Sequence, residues 1–167
     1  MVYRMDFKVD GACRGNGRPG AIAAAAACLY TRGNTYYSRT EQLPYDDPVA
    51  TNDRAELQAI IMALEWALEK YQSLDSCPRL KVTISGDSEH AINSITKWVY
   101  KWQENGWYTT AGTPVKNRDL IQEACRLENE IEEIGEVHYE WIPREKNMDA
   151  DEKCNEALDD FEYPYWA

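Results

Sequence analysis

Asp10, Glu56, Asp87 and Asp151 stand where the sequence ends strands or begins helices. Asp10 closes the alternating run Met5-Asp6-Phe7-Lys8-Val9, and Glu56 falls in the first turn of a long helical pattern. Asp87 follows a strand in Ser85-Gly86-Asp87-Ser88, and Asp151, with Asp149 beside it, opens the last helical stretch. In open sheets ligands gather outside strand ends, so acids at such positions can converge. Converging carboxylates repel one another unless a cation fills the gap. Magnesium suits such a set, being hard, oxygen-seeking and usually held by one or two carboxylates plus substrate phosphate. Two such ions about 3.5–4 Å apart can activate a water and stabilise the leaving oxygen of a phosphodiester. Each acid also has a purely structural reading: Asp10 as a strand terminator, Glu56 as a capping residue, Asp151 as a partner for the helix dipole.

The elements that must position these acids follow from the hydrophobic pattern. After the first strand, Ala21 to Tyr30 and Thr35 to Leu43 flank Thr31-Arg32-Gly33-Asn34, a hairpin signal. Ala23 to Ala27 favour helix by propensity, but glycines and the turn bracket them too tightly, so the run is expected to be a strand. Residues 44–48 are expected to form a loop. Leu57, Ile60, Ile61, Leu64 and Leu68 recur at helical spacing and predict a helix from about Asn52 to Tyr71, with Asp53 as cap and Glu56 three positions on. A strand over Lys81 to Ser85, helices near 89–105 and 117–134, a strand over 136–142 and a last helix near 147–160 complete the order β-β-β-α-β-α-α-β-α. That order indicates an α/β protein, a mixed sheet with helices packed on it.

Composition bounds the partners. At 167 residues the chain fits a single domain, and 28% charged residues is ordinary. The longest apolar run, Ala21 to Tyr30, is far short of a membrane span, so no membrane partner is expected. No secretory signal is visible at the N-terminus. Cys13, Cys28, Cys77, Cys125 and Cys154 are scattered without a C-x-x-C pair, which argues for reduced thiols in an intracellular compartment. The net charge of −11 is unevenly spread. Residues 1–118 hold 14 Lys/Arg against 13 Asp/Glu, while residues 119–167 hold 4 against 16. Within 96–118, Lys97, Lys101, Lys116 and Arg118 face only Glu104, so overall acidity does not exclude nucleic acid.

Six blocks carry a resemblance: Val9 to Gly17, Thr51 to Leu57, Gly86-Asp87-Ser88, Trp98 to Trp107, Pro114 to Leu120 and Asn147 to Asp151. In this order they resemble ribonuclease H of the cellular type 1 kind, from about residue 5 to 160, in a eukaryotic- or fungal-looking form. The resemblance implies a five-stranded mixed sheet of order 3-2-1-4-5 with helices on both faces. It implies two-metal, endonucleolytic hydrolysis of the RNA strand of an RNA/DNA hybrid, with Mg²⁺ or Mn²⁺, giving 5′-phosphate and 3′-hydroxyl ends. The protein is expected to be a monomer. Carried residue by residue, Asp10, Glu56 and Asp87 match the first three metal-binding carboxylates. Asp151 is chosen for the fourth through N-x-x-A-D at 147–151, the rival placement falling on Asn155, with Asp149 a nearby candidate.

By the same resemblance the small residues Gly11 and Cys13 let the minor groove approach, where 2′-hydroxyls mark RNA. Asn16, Asn52 and Asp53 match contacts to the RNA strand. Asp53 departs from the family, which usually places an amide there. Thr51, Thr110 and Asn117 match a pocket for a DNA phosphate, although Val49-Ala50 replaces the arginine often found before that block. Trp98 and Trp102, interleaved with Lys97 and Lys101, suit a nucleic-acid surface. Trp102 is expected to be the more exposed, lining the DNA-strand channel. Many type 1 enzymes carry a histidine in the loop before the last helix. Pro143 to Asn147 has none; Glu145 could stand in for it, and His90 and His138 read as structural or surface residues. Two rival readings keep the fold: a catalytically silent hybrid-binding module, and a nuclease for double-stranded RNA or a structured junction. The aromatic tail from 161 to 167 has no match in the family.

Overall fold

Met5, Phe7 and Val9 alternate with polar neighbours, and each is almost fully buried, which fixes one face of the first strand on a core. The computed structural model describes residues 1–43 and 49–162. The loop expected at 44–48 and most of the aromatic tail lie outside the described residues. Strand β1 (Val2–Arg14) is followed by β2 (Ile22–Tyr30), β3 (Tyr36–Leu43), α1 (Asn52–Gln72) and β4 (Arg79–Gly86). Then come α2 (Glu89–Asn93), a π-helical turn (Ser94–Trp98), α3 (Val99–Asn105), α4 (Arg118–Glu132), β5 (Gly135–Trp141) and α5 (Met148–Glu162). The sheet runs β3-β2-β1-β4-β5, as expected. β2 pairs antiparallel and β4 parallel with β1, so the sheet changes sense at its centre.

The alanine run is strand because both of its faces are covered. Ala23, Ala25 and Ala27 join the core beneath α1, while Ala24 packs with Ala157 and Leu158 of α5 on the other face. Only methyl groups let two helices press so closely on one strand, and that packing outweighs the helical preference of alanine. α1 is buried nearly all round, between the sheet and α4, as an apolar helix must be.

Two expectations are corrected here. Asp10 does not end β1: the strand continues to Arg14, its far half held by pairing with β2 out to Arg14↔Ile22. Nor does Asp53 cap α1. Thr51 is the cap, its Oγ1 accepting from the Arg54 N–H at 3.2 Å, and Asp53 lies within the first turn.

Gly11 has a tighter job than admitting a substrate. A Cβ on it would come within 2.3 Å of the Ala55 carbonyl carbon and the Glu56 nitrogen. The missing side chain is therefore what lets the start of α1 rest on β1. Gly11→Ala is expected to destabilise the protein by about 3 kcal/mol in urea unfolding, because backbone cannot move aside as a side chain can. An unchanged midpoint would mean that α1 is not seated on this glycine.

Candidate active site

The register of the sheet brings the first two acids together. β1 and β4 run parallel as far as Val9↔Gly86, so Asp10, still on β1, and Asp87, just past the end of β4, come next. α1, seated on Gly11, supplies Glu56 from its first turns. Ligand oxygens of Asp10, Glu56 and Asp87 lie within 4.8 Å of one another. They line a cleft of about 430 Å³ whose wall also includes Asn52, Asp53, Cys13, Asp151 and Arg144.

The three acids cannot all ionise cheaply. Asp10 is only 4% exposed. Burial, then the charge of Asp87, pushes its carboxyl up to about 7. Glu56 is raised as well, by burial and then by the charge of Asp10, so the pair favours keeping a proton over carrying two full charges. Such a set fits divalent cations, which replace the protons and relieve the repulsion. Asp151 lines the same cleft but stands outside that closest group, with Arg144 Nη2 at 3.8 Å and Asn155 Nδ2 at 3.4 Å. Asp149 points elsewhere and accepts from the Tyr30 hydroxyl at 2.6 Å.

Sequence reasoning missed the groups that hold this arrangement in place. Asn147 is fully buried; its Nδ2 donates to the Val9 carbonyl at 2.8 Å and reaches Asp87 Oδ2 at 3.4 Å. Four residues on, the Asp151 N–H donates to the Asn147 carbonyl. One side chain therefore ties the strand beside Asp10 to Asp87 and to the helix that carries Asp151. Cys154 adds a second tie, its Sγ donating to the Asp10 carbonyl at 3.1 Å, and burial pushes that thiol up so that it keeps its proton. Trp141 Nε1 donates to the Asp87 carbonyl at 3.2 Å from the end of β5. Asparagine at the mouth of a helix reads as an ordinary cap, so its sequence signal was present but ambiguous.

Around the cleft the remaining expectations divide. Asn16 Oδ1 accepts from the Asn52 N–H at 2.9 Å, joining the glycine-rich turn to α1. Arg54, which sequence reasoning passed over, links the phosphate-pocket candidates: its N–H reaches Thr51 and its Nη1 donates to Asn117 Oδ1 at 3.2 Å. Asp119 accepts from both of its Nη atoms, at 3.0 and 2.8 Å. Thr110 is exposed in the loop before α4, outside this set. The two tryptophans are reversed. Trp98 is 38% exposed, while Trp102 is partly buried against the core, 5.9 Å from Trp98 and 6.3 Å from Trp107. The π turn over Ser94–Trp98 rotates everything after it, which the simple four-residue spacing could not anticipate. From the loop before α5 it is Arg144, not Glu145, that lines the cleft.

Two outcomes follow. An acid whose folded-state pKa is raised binds more protons folded than unfolded, so ionising it costs stability as pH rises from the unfolded value toward the folded one. Without divalent ions the wild type is expected to lose about 3 kcal/mol relative to Asp10→Asn between pH 4 and 7, read as the difference of two urea-unfolding series. Parallel pH profiles for the two proteins would refute the strained carboxyl set. Asn147→Ala is expected to cost about 2 kcal/mol through the abandoned Val9 carbonyl. Asn147→Asp should cost more by placing a fourth charge beside Asp87, and equal stability of wild type and both variants would remove Asn147 from this role.

The comparisons agree with this geometry. The family model described as RNase H matches residues 4–161. A ribonuclease H of Citrobacter koseri is 33% identical over 156 residues, covering 93% of this chain and 87% of the relative. Among solved structures, RNase H1 from the halophilic archaeon Halobacterium salinarum superposes with a TM-score of 0.61 at 28% identity, over 95% of this chain and 99% of that one. A foamy viral protease-reverse transcriptase in complex with RNA/DNA hybrid gives a TM-score of 0.68 at 15% identity, over 91% of this chain and 19% of that one, and speaks for the fold alone. The curated ribonuclease H relatives are bacterial and the solved RNase H1 is archaeal, so the eukaryotic or fungal cast taken from the N-x-x-A-D spelling is not supported. That short stretch answers to the local demand of seating Asn147 and Asp151, and so is a poor marker of lineage. With fold, acid cluster and whole-length sequence in agreement, the chain belongs to the RNase H family of nucleases.

Proposed function

We propose that the protein cuts the RNA strand of RNA/DNA hybrids endonucleolytically, by a two-metal mechanism with Mg²⁺, or Mn²⁺ in its place. The observation that carries this reading is the set of three carboxylates with ligand oxygens within 4.8 Å of one another, in a cleft open to a polymer. Hydrolysis adds water across the P–O3′ bond. The water oxygen stays on the 5′-phosphate, and a proton goes to the departing 3′-oxygen.

Asp10, Glu56, Asp87 and Asp151 would hold the ions, which when bound supply charge neutralisation and a nucleophilic water at neutral pH. Asn147 and Cys154 keep the β1 backbone fixed beneath that set, so that no reorganisation is needed at the moment of reaction. Arg144 stands on the wall as the cation nearest Asp151, placed to face a phosphate drawn into the cleft. Gly11, Cys13, Asn16 and Asn52 shape the side toward the RNA strand. Arg54, Thr51 and Asn117 form a second polar station between α1 and α4, suited to the phosphate of the other strand. Exposed Trp98, flanked by Lys97 and Lys101, offers the stacking and charge that a sugar-phosphate strand needs.

The test is cleavage of an end-labelled RNA/DNA hybrid in Mg²⁺ and in Mn²⁺, beside single-stranded and double-stranded RNA. Cutting of the hybrid's RNA strand alone is expected, with 3′-ends that a polymerase extends. Asp10→Asn and Asp151→Asn should each lower the rate at least about a hundredfold, more than loss of a supporting group would. Full activity in Asp151→Asn would take the fourth acid out of the site. Binding of the hybrid without cleavage in either metal would make this a recognition module.

A further inference from the structure

The segment that carries Arg144, Asn147 and Asp151 is fastened to the sheet on its far side as well as at the cleft. α5 lays Ala150, Cys154, Ala157 and Leu158 on the sheet, all of them buried. At 3.6 residues per turn, neighbours in sequence stand about 100° apart around a helix axis. Asp149 and Asp151 therefore fall on opposite flanks of the buried stripe that Ala150 begins. Asp151 turns to the cleft, whose wall it lines. Asp149 turns the other way and accepts from the Tyr30 hydroxyl at 2.6 Å, a contact between residues 119 positions apart.

Tyr30 is itself held on several sides. It ends β2, opposite Asp6 of β1. Lys8 sets its ammonium 5.1 Å from the centre of the tyrosine ring, and Tyr36 packs on that ring with centroids 5.4 Å apart. The same ammonium donates to the carbonyl of Lys146, the residue before Asn147, at 2.9 Å. Burial, then the bond to Asp149, pushes the Tyr30 hydroxyl up, so it keeps the proton it donates. A phenol donating to a carboxylate makes a charge-assisted bond, roughly twice as strong as one between neutral groups.

A magnitude shows why this flank matters to the other one. A side chain ends about 5–6 Å from its helix axis, so a roll of about 20° carries that end about 2 Å. Metal-ligand distances tolerate only about 0.2 Å. The first turn is also where a helix has fewest internal bonds to resist such a roll. We propose that Tyr30 and Asp149 are positioning residues for Asp151: their hydrogen bond fixes the roll of the first turn of α5 and so aims the fourth carboxylate into the cleft. Asp149, the nearby candidate for that fourth place, serves the site from behind without touching a metal. This inference rests on the reading above in which Asp151 helps to hold the cations.

The test uses the full chain, titrated with Mn²⁺ by calorimetry in the absence of substrate, and then kcat and KM for an RNA/DNA hybrid. The proteins are wild type, Tyr30→Phe, Asp149→Asn, Asp151→Asn and the Tyr30→Phe/Asp151→Asn double variant, with urea unfolding of each to confirm the fold. Tyr30→Phe keeps the ring beside Lys8 and removes only the donor. It should weaken Mn²⁺ binding about tenfold and lower kcat by a similar factor, with KM for the hybrid within about twofold of wild type. Asp149→Asn should stay within about threefold of wild type in Mn²⁺ affinity, because its amide oxygen still accepts from the phenol. In the Asp151→Asn background, Tyr30→Phe should add less than about twofold, since the group it aims is gone. Wild-type Mn²⁺ affinity in Tyr30→Phe would overturn the proposal. So would an undiminished tenfold loss in the Asp151→Asn background, which would make the pair a general prop of the fold. Mn²⁺ affinity unchanged by Asp151→Asn would overturn the four-acid reading, and this inference with it. A wild type that binds Mn²⁺ but leaves the hybrid uncut would overturn the hydrolase reading alone, the calorimetry still deciding the role of the pair.

Discussion

Like charge held in a buried place is the constraint on which the rest of the structure depends. Asp10 and Glu56 would move away from each other and from Asp87 if the backbone allowed it, since burial and the neighbouring charges both penalise their ionised forms. Three independent features deny them that freedom. The parallel ladder of β1 and β4 fixes Asp10 beside Asp87. The missing side chain of Gly11 fixes the start of α1, and with it Glu56. Asn147, just before α5, and Cys154 within it clamp the same strand from the other face. The alanines of β2 belong to this arrangement, because bulkier residues there would lift α1 and α5 off the sheet. Stability is thus spent on holding a charge density that only cations can satisfy.

The large negative charge of the chain is organised so that it bears little on the cleft. Much of the acidity of α5 faces other groups: Arg14 reaches Asp159 at 2.8 Å and Glu162 at 2.5 Å, and Lys153 meets Glu156. Glu123 and Glu130 of α4 pair with Arg126 on the same helix. Such exposed pairs contribute little stability. Their effect is local neutralisation, screened over about one Debye length. Lys97 and Lys101 stand beside exposed Trp98, so a formal charge of −11 coexists with local positive charge on that face.

How much of this was legible depended on whether local or tertiary physics decided the outcome. α1 was readable almost to the residue, because its apolar spacing and polar start are local signals. The strand order and acid placement came from the likeness of six short blocks, not from periodicity. What escaped was settled across the fold. Asp10 lies inside β1 because β2 continues the pairing beyond the point where β4 stops. Trp98 and Trp102 exchanged roles because a π turn altered the phase of the helix between His90 and Asn105. Arg54 looked like one polar residue of a first turn until α4 brought Asn117 and Asp119 against it. Asn147 gave away least, since its importance lies in a strand carbonyl 138 positions earlier in the chain.

The loop before α5 shows how a short segment can replace one chemical device with another. Pro143 to Asn147 folds as a single 3₁₀ turn, closed by Lys146 N–H to the Pro143 carbonyl and Asn147 N–H to the Arg144 carbonyl. Lys8 Nζ pins it to β1 through the Lys146 carbonyl at 2.9 Å. A segment so short and so tied has little freedom to swing a side chain in and out of the cleft. It instead presents Arg144 beside Asp151. A histidine on a longer loop would offer a proton that can be taken up and released near neutrality. An arginine on a fixed turn offers charge in place of an exchangeable proton, so under the hydrolytic reading proposed above this turn would act electrostatically and leave proton transfer to water and the carboxylates.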